Sequence, residues 1–215
     1  MNRFPPGHLF LVSLILILGI DLGVSTLAGG ASLFRLGMTR LLQIACLAGI
    51  IFFYPRGAAS LGLAGHSLAR GIKTGILWSA FMGLGAAFTA GLVYLAGNNP
   101  FTLLGPGFRP PSPFFFFLTA CVLSPIAEEL FFRGFLYAYL RRFIQVFPAV
   151  VLSASVFAAC HASFSGLPVI PFAGGLVFAA AFEYSKSLAA PFIIHILGNT
   201  ALGMVQYSGG GAIFL

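Results

Sequence analysis

Seven apolar runs follow one another along this chain, each near the length a helix needs to cross a bilayer. They lie at about 9–30, 38–55, 74–97, 113–140, 147–164, 167–183 and 187–207. A helix rises about 1.5 Å per residue, so roughly 20 apolar residues traverse about 30 Å of hydrocarbon. Inside lipid no water is available to backbone N–H and C=O groups, and helices satisfy those groups internally. The expected fold is therefore all-α, a polytopic transmembrane helix bundle of about seven spans, with eight as the alternative. Residues 1–215 read as one integral membrane domain, with N-terminal spans over 9–97 and a motif-bearing part over 113–207. The run 113–140 is longer than one span requires, which predicts a tilt, or a bend near Pro125, which lacks a backbone donor.

Composition closes off the alternatives. Of 215 residues 59% are hydrophobic and 7% charged, against about 25% charged in a soluble domain. Fifteen charged side chains cannot clothe a soluble surface of this size. An ordinary cytosolic enzyme, a nucleic-acid-binding domain and a disordered protein are excluded. The net charge of +7 comes from bases between apolar runs, where they set topology and meet anionic lipid headgroups. The expected partners are the lipid bilayer and a membrane protein or peptide, with no nucleic acid. Cys46, Cys121 and Cys160 lie in apolar runs without metal or pairing spacing, and read as small buried hydrophobes.

The bases also orient the chain. With the N-terminus inside, Arg3, Arg56, Arg70, Lys73, Arg141, Arg142 and Lys186 fall on the inner face. Arg35, Arg40 and Arg109 fall outside, and Arg133 lies within a span. Seven against three favours an N-terminus inside the cell membrane. The first run has signal-peptide features, a basic start and small residues near Ala28. It continues past Asp21 to Phe34, which suits a retained span.

Asp21, Glu128, Glu129 and Glu183 are the four acids of the chain. An ionisable residue deep in a bilayer costs about 2.5–3.5 kcal/mol on insertion scales, so each is a candidate for function. The fourth run reads SPIAEELFFRGFLYAYLRR. Glu129 and Arg133, four apart on one helix face, can neutralise each other. Glu128, about 100° round the helix, is left out of that pair, so one carboxylate reads as structural and one as working. His161 ends SVFAACH, and His195 opens HILGN with Asn199 one turn later. At about 1.5 Å per residue, Glu128, His161, His195 and Asn199 all fall about 12–20 Å above the expected inner face. One buried polar site is thus geometrically open to them. Taken singly, each has a plainer reading: a structural ion pair, a packed histidine, an interhelical Asn, a core aromatic at Phe157. Asp21 reads as a packing or pathway residue, and Glu183 as a carboxylate reaching the interface.

Glu128-Glu129-x-x-x-Arg133, Phe157-x-x-x-His161 and His195-x-x-x-Asn199, in that order, resemble the three motifs of the CPBP intramembrane proteases, also called the Abi or CAAX-protease family. The resemblance covers about 124–203. It implies an intramembrane endopeptidase that hydrolyses a peptide bond of a membrane-associated protein near its C-terminus, by CAAX-type processing or sorting-tail removal. By position, Glu128 would be the general base, His161 would hold the water, and His195 with Asn199 would stabilise the oxyanion. Glu129, Arg133 and Phe157 would support them. The family implies a glutamic, metal-free site. The alternative is a zinc ion held by Glu128, His161 and His195, although H-E-x-x-H is absent. Two other functions compete: a non-catalytic membrane protein for bacteriocin immunity or partner binding, and a proton-coupled transporter using the same groups as a relay. The chain is short for the family, and the sequence names no substrate or oligomeric state.

Overall fold

In the computed structural model, residues 7–27, 32–54, 57–101, 110–161 and 168–207 are described. Among them there is no strand. Eight helices follow in order: α1 (Gly7–Leu27), α2 (Leu33–Phe53), α3 (Gly57–Ser60), α4 (Gly65–Leu95), α5 (Pro113–Leu140), α6 (Val146–Cys160), α7 (Val169–Ser185) and α8 (Ala189–Tyr207). α1, α2, α4, α5 and α8 are long and apolar enough to cross a membrane, while α6 and α7, of 15 and 17 residues, are shorter apolar helices. Each of the seven expected runs thus contains one of these helices among the described residues. Of the bases used for orientation, Arg3, Arg56 and Arg109 lie outside the described residues.

Two helix starts differ from the sequence reading. α2 begins at Leu33 because Ser32 caps it, its side chain accepting from the Arg35 backbone N–H at 3.1 Å. Arg40, counted with the outer-face bases at the start of the run 38–55, therefore lies two turns inside α2. α4 begins at Gly65 rather than 74 and runs 31 residues, about 45 Å at 1.5 Å per residue. That is longer than the hydrocarbon core, so Arg70 and Lys73 ride on the helix itself.

α5 forms the centre, with α1, α2, α6, α7 and α8 packed against it. Phe131, Phe132, Phe135, Tyr137, Phe157, Phe182 and Ile194 are buried together there. The periphery is apolar too: Leu11, Ile15 and Leu22 on α1 and Phe81, Leu84 and Phe88 on α4 are exposed. An apolar rim around a centre holding ionised groups suits hydrocarbon as the surrounding solvent. The segment between α3 and α4 is fastened to the start of α8. Leu188 N–H donates to Leu61 O at 3.0 Å, and the Ser187 hydroxyl donates to Gly62 O at 2.6 Å. Gly62 has φ +68°, and a Cβ there would lie 2.0 Å from Lys186 O, so only glycine fits.

α5 is not uniformly α-helical. It winds as π-helix over Phe117–Leu123 and again over Leu130–Tyr137, on either side of the α-helical stretch Ser124–Glu129. In the first stretch Ser124 N–H bonds Thr119 O, five residues back. The next bond in that register would run from residue 125 to Ala120 O, and Pro125 has no N–H to give. Asn199 of α8 supplies the missing donor, Nδ2 to Ala120 O at 3.0 Å. The bend expected near Pro125 is thus realised as a change of winding, stitched to α8 by an asparagine.

Candidate active site

The two adjacent glutamates point into different surroundings, as neighbours about 100° apart on a helix must. Glu129, fully buried, holds Arg133 Nη1 on Oε1 at 2.9 Å. The wider winding after Glu129 does not break this i, i+4 pair. Arg133 Nη2 donates to Gly175 O of α7 at 3.0 Å. The guanidinium carbon also lies 4.9 Å from the Phe157 ring centre and 5.2 Å from that of Phe178, within cation–π range. α7 comes this close because of Gly175: a Cβ there would meet Ala154 Cα of α6 at 3.0 Å.

His195 Nδ1 lies 2.8 Å from the same Glu129 Oε1. A carboxylate accepts, so Nδ1 carries the hydrogen and Nε2 turns the other way, towards Glu128 Oε2 at 3.8 Å. The ring is stacked on Phe178, centroids 4.4 Å apart at 19°. His161 caps the C-terminus of α6 and is fixed by the same logic. Its Nδ1 faces Phe157 O at 2.8 Å, so Nδ1 donates and Nε2 faces Glu128 Oε2 at 3.6 Å. Phe157 packs on the His161 ring at 4.3 Å between centroids and on the His195 ring at 5.8 Å. Glu128 Oε2 is thereby faced by two histidines from two helices. The His161 side chain, 34% exposed, is the accessible member; the His195 side chain, at 5%, is enclosed.

The other oxygen, Glu128 Oε1, faces Arg40 Nη2 of α2 at 3.6 Å. The sequence reading left Glu128 without a counter-charge and counted Arg40 only as an outer-face base. In the structure each carboxylate has its own arginine. Arg40 Nη1 donates to Gln43 Oε1 at 2.8 Å, and Gln43 Nε2 donates to Asp21 Oδ1 at 3.0 Å. Asp21 is therefore bound to the site through two side chains. Glu183, expected merely to reach the interface, sits in a separate cluster. It accepts from Tyr137 Oη at 2.9 Å and pairs with Lys186 and with Arg141 Nε, the latter at 3.7 Å.

Glu128, Glu129, Arg133, Phe157, His161 and His195 are therefore brought together in one cluster. Asn199 stands one turn along α8 from His195, with its amide nitrogen engaged at Ala120 O rather than turned towards Glu128. Sequence reasoning missed Arg40, Gln43 and Phe178. Among the described residues no group of three His, Cys, Asp or Glu side chains is gathered at metal-binding spacing.

The motif-bearing part matches known proteins. Residues 110–201 match the family model described as type II CAAX prenyl endopeptidase Rce1-like. Over these residues, less than half of the chain, the sequence is similar to that family. Within this family segment, all three motifs and Phe178 fall inside the match, while Asp21, Arg40 and Gln43 fall outside it. A stretch of 93 residues is 33% identical to the membrane-embedded CAAX protease MroQ of Staphylococcus aureus strain USA300, covering 40% of this chain. The match spans 37% of that relative's length. No solved structure matches the chain.

Proposed function

We propose that this chain is an intramembrane endopeptidase that hydrolyses a peptide bond of a membrane-associated protein near its C-terminus. One observation carries the reading: Glu128 Oε2 is faced by the Nε2 atoms of both His161 and His195, in a family segment whose model is named for a CAAX prenyl endopeptidase. The relative's name, membrane-embedded CAAX protease, supports the same substrate class, a chain held at the membrane and cut near its end.

The chemistry follows from which atoms are free. The His161 Nδ1–H is spent on Phe157 O, so in the neutral ring Nε2 accepts. A water between Glu128 Oε2 and His161 Nε2 gives one hydrogen to each and keeps a lone pair for the scissile carbonyl carbon. As the C–O bond forms, Glu128 takes one proton, and returns it to the leaving amine as the C–N bond breaks. The developing oxyanion needs donors. His195 donates from Nε2 when its ring carries both protons, with Glu129 as counter-charge. Asn199 has a second amide hydrogen beyond the one used on Ala120 O. Each step uses only side chains of this chain, so the reading is metal-free.

The test compares protein termini in membranes of native-host cells expressing the wild type or Glu128→Ala at matched abundance. New termini that appear only with the wild type, near a membrane-anchored end of their parents, are the expected result. Indistinguishable profiles would sink the peptidase reading and return the site to binding, immunity or transport.

A further inference from the structure

We infer that Arg40 is a positioning residue for Glu128, delivered by the N-terminal helix pair and locked by Gln43 and Asp21; this rests on the peptidase reading. Four observations carry it. First, Arg133 is committed to Glu129 and Gly175 O, so the cation paired with Glu128 at its second oxygen is Arg40. Second, the two oxygens of Glu128 are divided. Arg40 takes Oε1 and the histidines face Oε2. An ion pair at one oxygen favours one orientation of the carboxylate about its last bond, so Arg40 leaves Oε2 as the oxygen that meets the water.

Third, Arg40 is itself held. Its long side chain would otherwise sample many rotamers. Here Nη1 is tied to Gln43, which is 1% exposed and tied in turn to Asp21 of α1. Of the three polar side chains Gln43 is buried, Arg40 half-buried and Asp21 exposed on the apolar rim. Polar groups in such surroundings are costly unless joined, and these are joined in one line that ends on the base. Fourth, α2 lies tight against α5 one turn before Arg40. A Cβ on Gly37 would sit 2.9 Å from Thr119 Oγ1. Asp21, Gly37, Arg40 and Gln43 all lie outside the family segment of 110–201. The N-terminal spans thus complete the site rather than merely surround it.

The experiment follows the rate at which Glu128-dependent termini appear in membranes of native-host cells carrying, at matched abundance, wild type, Glu128→Ala, Arg40→Gln, Arg40→Lys, Gln43→Met or Arg40→Gln/Gln43→Met. Misplacing a catalytic group by about 1 Å costs about 100-fold in rate, so Arg40→Gln is expected to slow cleavage by about 10- to 100-fold. Arg40→Lys, which restores a cation, is expected to recover most of that loss. Gln43→Met alone should slow cleavage less, and should add nothing to Arg40→Gln because both act along one line. A purely structural role would not be rescued by the shorter lysine, and its losses would add. If Arg40→Gln fails to accumulate, Arg40→Lys against Gln43→Met carries the same test. Wild-type rates for Arg40→Gln, or additive losses, overturn the inference while Glu128 dependence keeps the peptidase reading intact. Termini that persist in Glu128→Ala overturn both.

Discussion

His195 Nδ1 and Arg133 Nη1 meet on a single oxygen, Glu129 Oε1, at 2.8 and 2.9 Å. Glu129 is therefore the hub that orients one candidate catalytic ring and neutralises the buried guanidinium, while Glu128 beside it stays free to face the water. Two ion pairs frame the site, Glu129 with Arg133 and Glu128 with Arg40. They are contributed by α5 and α2.

The hub predicts unequal costs for its two members. Arg133→Met leaves Glu129 buried and uncompensated, which should cost about 3–5 kcal/mol. Adding Glu129→Gln removes the stranded charge. The double variant should regain most of the lost melting temperature in detergent micelles while remaining inactive, because His195 has lost its carboxylate partner. A double variant that melts no higher than Arg133→Met alone would mean that the pair is not the source of the loss.

Close packing of α6 and α7 holds Gly175 O beneath Arg133. At Gly175→Ala the added Cβ meets Ala154 backbone at 3.0 Å, and neither helix can move without moving the site. Overpacking of this kind costs about 1–3 kcal/mol. Gly83 on α4 has nothing within 4 Å of an added Cβ, so there Gly→Ala should gain about 0.5–1 kcal/mol from helix propensity. Melting temperatures of the two variants should therefore move in opposite directions. Equal shifts would show that α6 and α7 are not in tight contact at Gly175.

The motif residues were legible for one physical reason. Glu128, Glu129, Arg133, His161 and His195 are expensive in hydrocarbon, so each stands out against a chain with 59% hydrophobic residues. Arg40 is as costly, yet it lies near the edge of an apolar run, where an arginine reads equally well as a loop charge. Only the cap at Ser32, which starts the helix five residues before the expected 38, places it within the helix. Phe178 carries no signal at all among 25 phenylalanines, although it stacks on His195. The π-winding of α5 was equally hidden. Pro125 announced a disturbance, but the carbonyl it orphans is identified only by the register of the hydrogen bonds around it.

The metal-free reading predicts that chelation leaves cleavage unchanged. Membranes treated with a strong zinc chelator should release the Glu128-dependent termini at the untreated rate, and the purified protein should carry well under one zinc per chain. Loss of cleavage on chelation, restored by added zinc, would instead make Glu128, His161 and His195 the ligands. Zinc sites hold nitrogen and oxygen ligands at about 2.0–2.2 Å.

Asn199 separates a structural role from a chemical one. Its Nδ2 donates to Ala120 O, the carbonyl that Pro125 cannot reach. Asn199→Ala should therefore cost stability by about 0.5–2 kcal/mol, the range of interhelical hydrogen bonds in membranes. Pro125→Ala supplies a backbone N–H to that register. In a Pro125→Ala background the stability cost of Asn199→Ala should shrink towards zero, a coupling that a double-variant cycle of melting temperatures reads directly. Cleavage answers the other half. If Asn199 also donates to the oxyanion, its loss should slow cleavage by about 100-fold or more, and Pro125→Ala should restore none of it. Recovery of both stability and cleavage in the double variant would reduce Asn199 to a helix stitch and leave the oxyanion to His195 alone.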